Sequence, residues 1–182
     1  MVTGAPGTGK TAVVRELARI GYAVVAEAAT DVIAAAQALG DDEPWRASGF
    51  VDTVVAVQRE RQQTPAPAGA TAQVYDRSPI CTLALAWFLG HPVTESVAAE
   101  IDRVVRAGVY QRRVFLVRPI GFVRATAARR ISFEDSLRFE RLHEQAYRAN
   151  GFELVDIAGG TVAERAAEID RRIRSWTDDA VR

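Results

Sequence analysis

The sequence predicts an α/β protein in which a parallel sheet of about five strands is flanked by helices. Short apolar runs rich in β-branched residues alternate with longer amphipathic runs along the chain, the pattern of strands joined by crossover helices. A glycine-rich segment stands between the first apolar run and the first amphipathic one, where such sheets place their ligand. No internal repeat and no interdomain linker interrupts the alternation, so residues 1–182 are expected to form one domain.

The elements follow in order. Residues 1–3, Met-Val-Thr, supply only the end of a first strand, against a usual length of ~5–6 residues. Either the native start lies upstream or this strand is unusually short. Gly4-Ala5-Pro6-Gly7-Thr8-Gly9-Lys10-Thr11 then fits the phosphate-binding pattern G-x-x-x-x-G-K-[ST] at every specified position. Its glycines let backbone N–H groups curl around phosphate oxygens. In that pattern Lys10 reaches the β- and γ-phosphates and the Thr11 hydroxyl ligates Mg²⁺. Residues 12–20 form a helix, Ala12 in its first turn, whose positive end faces the phosphates.

A strand at 22–26 leads through Glu27 into an alanine-rich helix ending near Leu39. A turn at 40–44 precedes a helix over 48–63, and the prolines and glycine of 64–72 mark a loop. A strand at 72–75 ends in Asp76-Arg77-Ser78, and Pro79 opens a helix over 80–89 that Gly90 ends. A helix from 94 to about 107 and a strand at 113–117 follow. Residues 118–132 form an arginine-dense, weakly periodic segment, expected to act as a lid. Ser132 caps a helix that ends at Asn150-Gly151, residues 152–157 are the last strand, and Thr161 with Glu164 makes a capping box for a final helix to about Trp176.

Composition narrows the function. Basic and acidic residues balance at 23 each, which argues against a protein that coats nucleic acid or an anionic membrane. No apolar run approaches the ~18 residues of a membrane span, and no secretory signal opens the chain. One cysteine and two histidines exclude a disulfide framework and a Cys/His zinc site, so a reduced, cytoplasmic setting is expected. Of the basic residues, only Lys10 is lysine. In so arginine-rich a background it marks a place where a guanidinium does not replace a compact ammonium.

Residues just after each strand lie nearest the ligand of such a sheet. Glu27 is a candidate base for an acceptor hydroxyl, with a solvated helix start as the plain alternative. Asp76 is a candidate for a carboxylate acting on Mg²⁺ or for a base, with a helix N-cap as its alternative. Arg77 is a candidate phosphate contact, and Asp31 a weaker acid on the same side. Arg118, Arg124, Arg129 and Arg130 are candidates for lid arginines over a γ-phosphate, Arg124 and Arg129 foremost. His91 and His143 are not expected to be catalytic, and Trp45, Trp87 and Trp176 belong to core or interface. An acceptor pocket is expected to be lined by residues from about 32 to 71.

These residues resemble P-loop small-molecule kinases, in particular the AAA-labelled ATPase-like proteins related to the nicotinamide riboside kinase domain. The similarity runs through residues 4–11, 22–29, 74–78, 114–119, 133–151 and 152–165. Asp76-Arg77-Ser78 also resembles the acid-Arg-Ser motif of deoxynucleoside kinases, in which an acid after strand two serves as base; that position is Glu27 here. The loop at 158–160, with Gly159 and Gly160, matches the place where nucleoside-monophosphate kinases set backbone against adenine. The resemblance implies a P-loop NTPase fold, ATP as phosphate donor and Mg²⁺ as cofactor. The apolar run ending in Asp-Glu that ring-forming AAA machines use for metal is absent.

The expected function is an ATP-dependent kinase that moves the γ-phosphate to a hydroxyl of a small metabolite, such as a nucleoside-like one. The alternative is a nucleotide-binding switch or regulatory ATPase with slow hydrolysis. The expected partners are ATP and that small acceptor, without nucleic acid or integral membrane contact, and an oligomer is left open. Guanine readers of the Asn-Lys-x-Asp type are excluded by the lone lysine. Asp156-x-x-Gly159 follows the last strand, where the similar switch element does not belong.

Overall fold

Five parallel strands and seven α-helices alternate along residues 1–119 and 131–181, the part of the chain that the computed structural model describes. The order is β1 (Val2–Thr3), α1 (Lys10–Arg19), β2 (Ala23–Val25), α2 (Ala28–Ala38), a 3₁₀ turn (Pro44–Arg46), α3 (Phe50–Gln62) and β3 (Gln73–Tyr75). Then come α4 (Pro79–Leu89), α5 (Glu95–Arg106), β4 (Arg113–Val117), α6 (Phe133–Ala149), β5 (Glu153–Ile157) and α7 (Val162–Val181).

The strands form two sheets rather than the single one expected. β1, β4 and β5 make a three-stranded sheet in that order, and β2 pairs with β3 in a second. The length of β1 explains the division. Its two residues pair with β4, Val2 opposite Phe115 and Thr3 opposite Leu116, and reach β3 only through one isolated bridge from Val2 to Asp76. The Arg77 amide donates to the Val2 carbonyl at 3.1 Å beside that bridge. The two sheets therefore meet at the residues that precede the glycine-rich loop.

Two apolar cores cover the strands. One packs α1 and α7 against the sheet through Val13, Leu17, Phe115, Val155 and Ile169, with Trp176 beside them. Trp176 stacks flat on Phe115 at 4.8 Å with the Arg113 guanidinium over its ring. The other gathers α3, α4, α5 and α6 around Val54, Ile80, Val97 and Tyr147. In α4, Ile80 through Ala84 are all buried, so its first turns present no polar face.

Caps fall where the side chains supply them. Thr94 accepts from the Val97 amide and Ser132 from the Asp135 amide, each satisfying a donor of the first turn. The capping box before α7 forms: the Glu164 carboxylate accepts from the Thr161 amide at 2.8 Å, and the Thr161 hydroxyl accepts from the Glu164 amide at 3.2 Å. α7 runs beyond the expected end to Val181. The 3₁₀ turn was not expected, because Pro44 permits a turn without the long apolar pattern that marks a helix. No helix among the described residues is long and apolar enough to cross a membrane. Residues 120–130, the greater part of the expected lid with Arg124, Arg129 and Arg130, lie outside the described residues.

Candidate functional site

The glycine-rich loop follows β1 and ends at Gly9, the N-cap of α1. Gly4 has φ +136°, and a Cβ there would lie 2.5 Å from the Val117 carbonyl oxygen at the end of β4. No other residue type fits, because both the dihedral and the space exclude a side chain. Gly9, at φ +84°, turns the chain from loop to helix in the left-handed region. Lys10 is 4% exposed and folds over its own loop, its ammonium donating to the Ala5 carbonyl at 2.7 Å. The Thr8 hydroxyl donates to the same carbonyl at 3.1 Å.

Two side chains from distant elements brace the loop from outside. The Ser136 hydroxyl of α6 donates to the Pro6 carbonyl at 3.0 Å. Arg165 of α7 donates through Nη1 to the Thr8 carbonyl at 2.6 Å. Thr11 and Ala12 continue the first turn of α1, so the amides of residues 9–12 stand at the positive end of the helix.

Glu27, Asp76 and Arg77 come together at the junction of the two sheets. Asp76 is 5% exposed, and its amide donates to the Val25 carbonyl at 2.8 Å. Arg77 has φ +76°, the one positive φ at a non-glycine residue among those described. That backbone is costly and persists where the surroundings over-determine it. They do so here. Its amide is held by Val2, its Nε lies 2.5 Å from the Glu27 carboxylate, and its Nη1 donates to His143 Nε2 at 3.0 Å. His143 is fully buried, and its Nδ1 donates to the Phe139 carbonyl at 2.8 Å, the tautomer that leaves Nε2 as acceptor. Burial, then the Arg77 charge, holds the His143 pKa well below the usual value. Burial works against the Arg77 charge too, but Glu27, with Cys81 and Asp76, more than offsets it and raises the guanidinium's pKa. The Glu27 carboxylate also accepts from the Thr30 hydroxyl at 3.0 Å.

A cavity of about 230 Å³ opens beside this cluster. Pro6 of the loop, Glu27 and Arg77 border it together with the aromatic rings of Trp45, Phe50, Phe88 and Phe139. Phe88 and Phe139 stack with centroids 4.7 Å apart. Gln58 and Thr82 are the buried polar pair in its wall; the Thr82 hydroxyl donates to Gln58 Oε1 at 3.0 Å, which leaves the Gln58 NH₂ for another acceptor.

Part of the expected site falls elsewhere. Arg118 is tied to Glu140, Glu144 and Asp156, between α6 and β5. That contact also gives Asp156 a structural place. Asp31 pairs with Arg61 at 2.5 Å. Gly159 and Gly160 lie in the exposed bend before α7 and do not border the cavity. The stretch from 32 to 71 does line the cavity through Ile33, Glu43, Trp45, Phe50, Val54 and Gln58. The other wall comes from α4 and α6, whose Cys81, Thr82, Leu85, Phe88 and Phe139 read as ordinary core in the sequence. His143, Ser136 and Arg165 were missed for the same reason, since only the tertiary packing brings them to the loop and to Arg77. Among the described residues, no three of His, Cys, Asp and Glu group to hold a metal ion.

A glycine-rich loop between a parallel strand and a helix, closed by a buried lysine, defines a P-loop nucleotide-binding protein. Residues 1–165 match the family model described as AAA domain, and the chain belongs to that family. Nucleotide-binding, ATPase-like character follows from membership. No curated protein matches the chain.

Proposed function

We propose that this protein is an ATP-dependent kinase that transfers the γ-phosphate to a hydroxyl of a small, flat, nucleoside-like metabolite. The observation that carries the reading is the cavity: a ring-lined space that shares Pro6 with the phosphate loop and Glu27 with Arg77. Hydrolysis alone needs no such organic chamber, whereas transfer to an acceptor needs one beside the phosphates.

In this reading the backbone N–H groups of residues 7–12 cradle the phosphates, and Lys10 leaves the Ala5 carbonyl to neutralise them. Glu27, held by Arg77, takes the proton of the acceptor hydroxyl. Arg77 fixes the carboxylate and adds positive charge near the transferring group. Thr11 and Asp76 would hold Mg²⁺, which when bound supplies charge that spreads over the β- and γ-oxygens. One hydroxyl and one carboxylate suit this ion, which keeps several waters and leans on substrate phosphates rather than on a protein cage. Aromatic walls suit a planar ring, and the Gln58 NH₂ suits a ring acceptor.

Purified protein incubated with γ-labelled ATP, Mg²⁺ and a panel of nucleosides and related alcohols tests the proposal. Label appearing in an organic phosphate supports it. Label released only as inorganic phosphate, with every acceptor, overturns transfer and leaves the regulatory ATPase.

A further inference from the structure

Four residues of α6, spaced three or four apart and so on one face of the helix, meet the candidate site in order. The Ser136 hydroxyl donates to the Pro6 carbonyl of the phosphate loop at 3.0 Å. The Phe139 ring borders the cavity and stacks on Phe88. His143 Nε2 lies 3.0 Å from Arg77 Nη1, and the Tyr147 hydroxyl lies 2.9 Å from Ser78 Oγ. Arg77 and Ser78, the two residues after Asp76, are thus tied to successive turns of α6.

His143 joins the ring wall to the charged cluster. Its ring packs on Phe139 with centroids 4.3 Å apart. Its Nδ1 donates to the Phe139 carbonyl at 2.8 Å, which leaves Nε2 unprotonated and able to accept from the guanidinium. Burial and the Arg77 charge keep the ring neutral, so the acceptor persists at neutral pH. A guanidinium is planar and rigid, so fixing Nη1 fixes the direction in which Nε points. Nε is the atom that lies 2.5 Å from the Glu27 carboxylate. Arg77 is also the one non-glycine residue with positive φ among those described, at +76°, a backbone that persists where its surroundings hold it. Loss of the His143 acceptor deprives a buried donor of its partner and lets the guanidinium turn away from Glu27.

We propose that His143 is a positioning residue for phosphoryl transfer: by accepting from Arg77 it aims the guanidinium at Glu27, and so sets that carboxylate against the acceptor hydroxyl. His143 is fully buried and does not border the cavity, so it acts only through Arg77. A base held slightly out of place costs rate rather than binding. The inference rests on the kinase reading, in which Glu27 takes the proton.

Two amides of different length separate the Arg77 bond from the packing around it. In His143→Asn the side-chain NH₂ can still donate to the Phe139 carbonyl, as Asn150 does to the Ala146 carbonyl at 2.8 Å, but the side chain is too short to reach Arg77. In His143→Gln the longer side chain brings an oxygen to the place of Nε2. Both variants lose the ring alike. Transfer from Mg·ATP to an acceptor that the unaltered protein uses is measured as kcat and KM, with the Mg·ATP Kd from calorimetry and thermal unfolding as the check of folding. The expected result for His143→Asn is a kcat lower by at least about tenfold, with Mg·ATP Kd and acceptor KM within about twofold of the unaltered protein. His143→Gln is expected to restore kcat to within about threefold. Equal losses in the two variants assign the effect to packing and overturn the inference, and so does full turnover in His143→Asn. A fall in Mg·ATP affinity that matches the fall in rate makes His143 a brace of the phosphate loop and overturns it too. ¹⁵N NMR of the unaltered protein covers the case in which neither variant folds: a proton on Nδ1 with a bare Nε2 supports the inference, and a protonated Nε2 overturns it. If the unaltered protein phosphorylates no acceptor, the kinase reading falls and this inference with it, a result distinct from failure of His143 alone in an active enzyme.

Discussion

Lys10 and His143 show how single residues set this site. The Lys10 ammonium now rests 2.7 Å from the Ala5 carbonyl, and no other lysine is available in the chain to replace it. Lys10→Ala is expected to abolish turnover and to remove most Mg·ATP affinity in calorimetry; unchanged affinity and turnover together would contradict its role. His143 acts at one remove, through Arg77. It must stay neutral to accept from the guanidinium, and its pKa in the fold lies well below the usual value. The unfolded chain binds the proton near pH 6.5 while the folded chain does not. Stability therefore falls as pH drops below about 6.5, by up to about 1.4 kcal/mol per pH unit. His143→Gln keeps an acceptor near Arg77 without the titration. Urea midpoints taken from pH 7.5 to 5.5 should show the unaltered protein losing more stability than this variant; parallel slopes would mean that His143 is not the group responsible.

At the scale of elements, strands hold the site by their ends. Gly4 packs its Cα side against the last carbonyl of β4, and a Cβ would stand 2.5 Å from it. Gly4→Ala must strain the dihedral, shift the loop or part β1 from β4. A cost of about 1–3 kcal/mol is expected, read as a lowered denaturant midpoint together with weaker Mg·ATP binding; a variant equal to the parent in both would show that the loop tolerates a Cβ. The loop, the alternation of elements and the caps at Ser132 and Thr161 were legible because each depends on residues close in sequence. The brevity of β1 was legible too, but not its consequence, the split of the sheet at the Val2–Asp76 bridge, which depends on pairing between residues far apart in the chain. The cavity was half legible. Residues from about 32 to 71 were expected in its wall, whereas Thr82, Phe88 and Phe139 lie on helices whose apolar residues look the same whether they face a core or a ligand. For a related reason, a charge count does not show that Glu140, Glu144 and Asp156 pair with Arg118.

At the scale of the molecule, the two sheets lead into different parts of the candidate site. The three-stranded sheet leads into the phosphate loop through β1, and the two-stranded sheet presents Glu27 after β2 and Asp76 with Arg77 after β3. Their meeting at Val2 puts the acids beside the loop, so the roles of the acids are testable by what each loss does to the nucleotide. A base works on the acceptor hydroxyl and contributes about 10²–10⁴-fold in rate. Glu27→Gln should therefore keep Mg·ATP affinity and lose phosphoryl transfer by that factor. A carboxylate acting on the metal works on the donor side, so Asp76→Asn should lose transfer and also require more Mg²⁺ for half-maximal rate. If the proposed roles hold, Arg77, whose Nε lies 2.5 Å from the Glu27 carboxylate, acts on the same side as Glu27; Arg77→Met should then lower the transfer rate without raising the Mg²⁺ requirement, as the Glu27 variant does. Mg²⁺ titrations of the three variants decide the case. A raised requirement in the Glu27 variant and a normal one in the Asp76 variant would exchange the two roles. Full turnover in both acid variants with every acceptor would remove the chemistry from this junction altogether.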